Sequence, residues 1–442
     1  LVKRLSEATL HLLPGWVRRP AIRPAPRVVH LGLGAFHRAH QAIVFDDLGW
    51  GVTGASLRSP AVRDAMAPQD GLYSLVVGGE VRVIGAVREV MLDTEALAAR
   101  IAAPETRVVT LTITEKGYLP GSRAAAILAG ALARRDGGVT IISCDNLPNN
   151  GARLREAVLA ASGGAAERIA ARCAFPQTMV DRIVPATEAA DIEKLAARIG
   201  LLDRAMVKAE PYFQWVIEDD FAAGERPDFE AAGVQIAADI APWETVKLRL
   251  LNGAHSGLAY LGGLAGVTYV HDFVADPAGR RFVESLWDEA ETTLSPPPGL
   301  DIAAYRAALT ARFADAGLQH RTRQIAMDGS QKLPQRLLAP IAARLERGQG
   351  IEALALAVAG WMRWQSGRTD SGEAFAVDDP LAAETARRLA GQSEPRERVR
   401  ALLGMEEIFP PSLAADPRFA QVVTRQLTRL LERGAAGAIG LA

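Results

Sequence analysis

Apolar runs of four to seven residues alternate with helix-periodic segments through the first half of the chain. Residues 28–31, 52–57, 107–113, 139–143 and 179–184 are rich in Val, Ile or Thr and predict strands. Most are followed by a polar or Gly-rich turn and then by 3.6-residue periodicity, the pattern of a mostly parallel sheet with helices on both faces. Residues 73–77 and 81–86, joined by Gly78-Gly79-Glu80, predict an inserted hairpin. Beyond about Ala237 the texture changes to long Ala/Leu/Arg segments at 245–261, 279–291, 302–316, 335–347, 351–364 and 380–389. Proline-rich breaks such as Ser295-Pro296-Pro297-Pro298-Gly299 separate them, and 434–442 reads as a short Gly/Ala tail. The expected architecture is α/β: an N-terminal doubly wound, mostly parallel sheet over 1–236, then a mainly α-helical domain over 237–442.

Composition narrows the class without changing this picture. At 442 residues two domains are expected, and 49% hydrophobic with 23% charged residues belongs to a folded globular protein. A formal net charge of −1 supplies no field for nucleic acid. Cys144 and Cys173 are the only cysteines, which argues against a disulfide framework and for a reducing, cytoplasmic setting. The window 250–270 is uncharged but holds Asn252, His255, Ser256 and several glycines, so it reads as a buried helix and not a membrane span. The Arg-rich, acid-poor lead-in before Arg27 is broken by prolines and lacks the apolar run of a secretory signal.

Two places carry candidate chemistry. Val28-Val29-His30-Leu31-Gly32-Leu33-Gly34-Ala35-Phe36-His37 runs a strand into G-x-G at a helix start, where glycines let the backbone approach a pyrophosphate. Val29, Leu31, Gly32, Leu33, Gly34, Ala35, Phe36 and His37 are therefore the candidate dinucleotide contacts, with His37 replacing the usual third glycine. After the next strand the expected acidic residue is replaced by Arg58, which suits a 2′-phosphate as well as adenine stacking and leaves NAD and NADP both open. His37 and His40 form an H-x-x-H pair with no third ligand at metal spacing, so no metal is expected.

The second place is Lys247-Leu248-Arg249-Leu250-Leu251-Asn252-Gly253-Ala254-His255. On a regular helix its lysine, asparagine and histidine project within an arc of roughly 140°. A base, an amide donor and an orienting ring are what proton abstraction from an alcohol requires. A lysine in that role must fall from ~10.4 to roughly 7–8, which burial or a neighbouring cation achieves. Glu115 and Lys116 after the strand at 107–113 are candidates for the nicotinamide end, and Asp181 in the strand at 179–184 for binding the ribose, tuning Lys247 or pairing with Arg182.

Gly32-Leu33-Gly34-Ala35-Phe36-His37-Arg38-Ala39-His40-Gln41 resembles the opening motif of the long-chain mannitol dehydrogenase family, which includes mannitol 2-dehydrogenases and fructuronate reductases (mannonate oxidoreductases). Similar blocks follow in order: Asp70-Gly71-Leu72-Tyr73, Thr114-Glu115-Lys116-Gly117-Tyr118, Ser143-Cys144-Asp145-Asn146-Leu147-Pro148-Asn149-Asn150-Gly151, and Val180-Asp181-Arg182-Ile183-Val184-Pro185. Gln214-Trp215-Val216-Ile217-Glu218-Asp219, the Lys247 block and Asp328-Gly329-Ser330-Gln331-Lys332-Leu333-Pro334 complete a resemblance that spans almost the whole chain. Gln177 departs from the family pattern, which more often has asparagine there.

The resemblance implies an N-terminal Rossmann-type domain, a mainly helical C-terminal domain, a catalytic cleft between them, and metal-independent hydride transfer between a nicotinamide cofactor and a secondary carbinol. Lys247 would be the general acid/base, Asn252 and Asn146 the oxyanion donors, and His255 the residue orienting the substrate. Asn150 stands behind Asn146 as a substrate contact, and the cations Arg323 and Lys332 are candidates for a substrate carboxylate. The continuation Gln331-Lys332-Leu333-Pro334-Gln335-Arg336 looks more like fructuronate reductases, so D-mannonate/D-fructuronate is the first expectation and mannitol/fructose the second. The expected partner is thus a small sugar acid or polyol, on a monomer or small homo-oligomer. A non-catalytic NAD-binding sensor on the same scaffold is the competing class, and the presence of Lys247 and Asn252 counts against it. A hydroxyacid dehydrogenase of the 6-phosphogluconate type lacks support because its Gly-Met-Gly-rich opening is absent.

Overall fold

The computed structural model describes residues 2–57 and 59–441. The chain divides into two compact units, the first ending at Ile240 and the second beginning at Ala241. Arg58 lies outside the described residues, as does the side chain of Lys116.

The first unit is built on five parallel strands: β1 (Pro26–Leu31), β2 (Gly51–Ala55), β3 (Val87–Met91), β4 (Val108–Leu111) and β5 (Thr140–Ser143). Their order is β3-β2-β1-β4-β5, so the winding reverses between β1 and β4. That switch point is where open α/β sheets bind ligands. The strands are apolar almost throughout because both faces are covered. Val28, Val52, Val108 and Ile142 pack with Phe45, Trp215 and Phe229 on one side. Val29, Leu31, Val109, Leu111 and Ile141 pack with Leu97, Leu128 and Leu154 on the other.

The hairpin is present as Tyr73–Val77 and Glu80–Ile84, with Val77 opposite Glu80. Its two-residue loop, Gly78-Gly79, has φ of 54° and 89°, the left-handed pair that a type I′ turn requires. Two expectations change. The strand expected at 179–184 is Thr178–Asp181 and lies outside the parallel sheet, pairing antiparallel with Gln214–Glu218. The fifth parallel strand is instead β3, which sequence pattern missed: it is an edge strand whose Arg88 and Glu89 are half-exposed, so its hydrophobic alternation is diluted.

The second unit is helical. Its central helix runs from Ala241–Val246 through Lys247–Asn252 to Gly253–Leu264, and the middle segment is π-helical. Every residue of Gly253–Leu264 is buried, which accounts for a segment apolar on all sides. It packs on Glu352–Trp364, Pro277–Glu291 and Thr322–Ile325. A second helix has the same construction: Gly329–Leu333, a π segment Pro334–Leu338, then Ala339–Glu346. Pro334 lacks the N–H that a regular α-helical ladder needs at that point. The two π segments pack against each other. The Gly/Ala tail is helical too: Pro417–Ile439 kinks at Gly434 (φ 68°) and continues, with the Ala435 amide donating to Asp370 Oδ2 at 2.5 Å. Among the described residues no helix is long and apolar enough to cross a membrane.

Candidate active site

The glycine loop follows β1 directly. Gly32 has φ +93°, and a Cβ there would lie 2.0 Å from the Thr112 carbonyl oxygen, so only glycine fits. Gly34 is exposed at ordinary φ, and a Cβ there would meet nothing nearer than Gly32 O at 3.7 Å. The open space beside Gly34 suits a ligand that the backbone must approach closely, as the dinucleotide fingerprint requires. Leu33 is buried, and the Ala55 carbonyl accepts from both Gly32 N (2.9 Å) and Leu33 N (3.1 Å).

The side chains of Val29 and Leu31 belong to the apolar core, so those two candidates could serve a ligand only through backbone atoms. His37, in place of the third glycine, is fully buried and stacks on His30 with centroids 3.4 Å apart. Burial, reinforced by His30, holds its pKa well below the usual value and keeps it neutral. Phe36 stacks on His40, whose Nε2 bonds to Gln214 O at 3.0 Å. The histidines of this segment are thus packing residues, and among the described residues no cluster of three or more His, Cys, Asp or Glu could hold a metal.

The carboxyl ends of β4 and β5 are tied together by Asp145, which sequence reading did not single out. Its carboxylate accepts from Ile113 N (2.9 Å), Thr114 N (3.0 Å) and Tyr118 OH (2.6 Å). Burial nevertheless raises its pKa above the usual carboxylate value. Thr114 has φ 66° and ψ 167°, a strained conformation for a β-branched residue. Glu115 and Asn146 are exposed on this rim, and Asp181 ends its own strand buried.

Asn150 is corrected by the structure. It is fully buried; its Nδ2 donates to Asp145 O (3.0 Å) and Thr178 O (2.9 Å), and its Oδ1 accepts from Thr178 N (3.0 Å). With both ends of the amide engaged by protein, it splices two strands and is not a substrate contact. Gln177, the departure noted above, accepts from Gly151 N at 3.1 Å through its side chain.

In the second unit Lys247, Asn252 and His255 are each 7% exposed on the central helix. The π segment spans Lys247 to Asn252, and Gly253 N–H reaches Leu248 O, an i→i+5 bond. Such segments are rare and recur at functional sites. Asn252 Nδ2 and His255 Nε2 are buried with no hydrogen-bond partner. An orphaned buried polar atom costs about 1–3 kcal/mol, and these two lie on adjacent turns of the helix that carries Lys247. His255 packs against Phe313 and His320, with centroids at 4.8 and 5.2 Å. Burial first, then the charges of His320, Arg312, Arg336 and Lys247, drives its pKa well below 6.5. It is a neutral ring with one donor and one acceptor nitrogen.

The two cations expected to meet a carboxylate do other things. Arg323 is an exposed surface group paired with Glu373 at 2.8 Å. Lys332 donates to the carbonyls of Met327 and, at 3.4 Å, Ile325, fastening the turn before its own helix. Arg336, four residues further on, is a half-buried cation of this region.

A five-strand Rossmann sheet with a strained glycine turn, joined to a helical unit carrying a buried lysine, asparagine and histidine, defines a two-domain dehydrogenase architecture. Residues 26–231 match the Mannitol dehydrogenase Rossmann domain and residues 239–431 the Mannitol dehydrogenase C-terminal domain. The chain belongs to the mannitol dehydrogenase family of oxidoreductases. It is 40% identical to the D-mannonate oxidoreductase of Escherichia coli (strain K12), covering 92% of this chain and 94% of that one. It is 36% identical to the mannitol 2-dehydrogenase of Pyrenophora tritici-repentis, covering 93% and 81%. Among solved structures, the Pseudomonas fluorescens mannitol 2-dehydrogenase in ternary complex with NAD and D-mannitol superimposes with a TM-score of 0.87 at 33% identity, covering 99% of both chains.

Proposed function

We propose that the chain transfers hydride between NAD and the secondary carbinol of a sugar acid, with D-mannonate/D-fructuronate as its preferred pair. The observation that carries the proposal is the buried Lys247 sharing one helix with two orphaned polar atoms, Asn252 Nδ2 and His255 Nε2. The match to a D-mannonate oxidoreductase and the Gln331–Arg336 run support the acid over the polyol.

NAD supplies the hydride acceptor when bound; the open face of Gly34 and the helix start at Ala35 would lie against its pyrophosphate, with Glu115 and Lys116 proposed for the nicotinamide end and Asp181 for the ribose. In the oxidation direction Lys247, as the free amine, takes the carbinol proton at Nζ. Asn252 donates its amide N–H to the oxygen as negative charge builds there, and Asn146 is proposed as the second donor. A donor aimed at a developing alkoxide acts strongly in a water-poor site. Neutral His255 hydrogen-bonds a neighbouring hydroxyl and fixes which carbon faces the base. In reduction the Lys247 ammonium returns the proton to the carbonyl oxygen.

Steady-state rates on mannonate/fructuronate and mannitol/fructose, each with NAD and NADP, test the assignment. Activity confined to mannitol/fructose would transfer the proposal to the polyol. Tight NADH binding without turnover on either pair would replace the enzyme with a redox sensor.

A further inference from the structure

We infer that Arg336 is the anion-binding group of the substrate site, taking the carboxylate of the sugar acid whose carbinol Lys247 serves. The inference rests on the function proposed above and names the residue that would make it acid-specific.

Arg336 lies in the π segment Pro334–Leu338, which packs on the π segment bearing Lys247 and Asn252. The backbones come close enough that a Cβ on Gly253 would sit 3.1 Å from Arg336 O. The guanidinium makes a single hydrogen bond among the described residues, Nη1 to Ser256 Oγ at 3.2 Å, beside His255. It offers five N–H donors in a rigid fork, so most of that capacity is uncommitted.

Two other arginines held inside the fold are used up. Arg135 donates to the carbonyls of Ile101, Ala103 and Thr106. Arg182 donates to those of Glu210 and Ala39. Arg336 alone of these three has neither carbonyls nor a carboxylate, although burial pulls its pKa down to about 10. Its charge acts on His255 and on the buried, unpartnered hydroxyl of Tyr260. A half-buried guanidinium with uncommitted prongs matches a planar carboxylate, which accepts two parallel bonds; the hydroxymethyl end of a polyol offers one oxygen.

The full-length protein is compared with Arg336→Met and Arg336→Lys, measuring kcat/KM on D-mannonate and D-mannitol, NADH affinity by fluorescence, and D-mannonate binding by calorimetry. Arg336→Met should lower the mannonate-to-mannitol ratio of kcat/KM about 100-fold through KM for mannonate, and Arg336→Lys should recover part of it. Equal losses on both substrates, or a weakened NADH affinity, would overturn the inference by making Arg336 structural or a cofactor contact. If the wild type turned over neither substrate, the function proposed above would fail, and calorimetry would still decide Arg336. Mannonate binding lost in Arg336→Met would support the anion site, and binding no tighter than mannitol in the wild type would refute it. Should the methionine variant not fold, Arg336→Gln and Arg336→Lys carry the same comparison.

Discussion

Lys247 and Asn252 stand at the two ends of one π-helical segment, joined by an i→i+5 backbone pattern. On a regular α-helix five steps would leave their side chains about 140° apart. The wider π turn narrows that angle, so base and amide donor rise from nearer the same side of the helix. Lys247→Met should therefore remove the base and leave the glycine loop alone. Turnover should fall by about 100- to 10,000-fold with NADH affinity held within a few-fold. Near-normal turnover in a stopped-flow assay would eliminate Lys247 as the acid/base.

Asn252→Ala should lower kcat by about 100- to 1,000-fold, the usual effect of deleting one oxyanion donor. Because the Nδ2 has no partner to lose, the variant should melt within a degree or two of the wild type. A large drop in melting temperature with unchanged kcat would instead make Asn252 structural.

The two loop glycines should separate folding from cofactor binding. Gly32→Ala drives a Cβ into the Thr112 carbonyl at positive φ and should cost more than about 3 kcal/mol or abolish soluble expression. Gly34→Ala meets no protein atom closer than 3.7 Å, so its melting temperature should hold while NADH affinity falls at least about tenfold. Unaltered NADH affinity in a fluorescence titration would remove the pyrophosphate from this loop.

Asn150→Ala leaves Thr178 N without its acceptor inside the fold. Chemical denaturation should show a loss of about 2–3 kcal/mol, with KM for substrate little changed in the surviving enzyme. Arg323→Ala should be silent in both measurements, since its ion pair with Glu373 is exposed.

Acid should destabilise the protein through its buried histidines. His30 is held near about 3 and His320 near about 4, while His37 and His255 lie well below 6.5, all chiefly by burial. The unfolded chain takes up protons near 6.5 and the folded one does not. Stability is therefore full above pH 6.5 and falls as the pH drops toward the folded values, by about 1 kcal/mol per histidine between pH 6.5 and 5.5. Melting curves across that range should show the slope, and His320→Asn should reduce it by one proton. A flat profile would mean these rings are solvated.

Features dictated by local stereochemistry were legible in the sequence. Gly78-Gly79 marked the hairpin, although Glu80 pairs with Val77 and belongs to the second strand instead of the loop, and Gly32-Leu33-Gly34 marked the tight turn after the first strand. The lysine, asparagine and histidine were visible as a triplet on one helix. The π insertion between them was not, because nothing in Lys247–Asn252 breaks a helix as Pro334 does in its neighbour. Which cation is left unpaired also escaped the pattern. Arg323 is paired with Glu373, and Arg336 has no ion-pair partner among the described residues; both outcomes depend on tertiary neighbours. Asn149-Asn150-Gly151 looked like a turn with a ligand residue, yet the partner of Asn150 is Thr178 on another strand. The Gly/Ala tail read as low complexity because Asp370, which holds it at Ala435, is remote in sequence.

The paired π segments set a limit on how this protein can be improved. Removing one residue from 247–252, or replacing Pro334 with a strong helix former, would regularise a helix and should raise thermal tolerance. Either change would also rotate one set of polar groups away from the other. Stabilising substitutions chosen for helix propensity alone should therefore be kept out of these two stretches and spent on the surface helices, where register carries no chemistry.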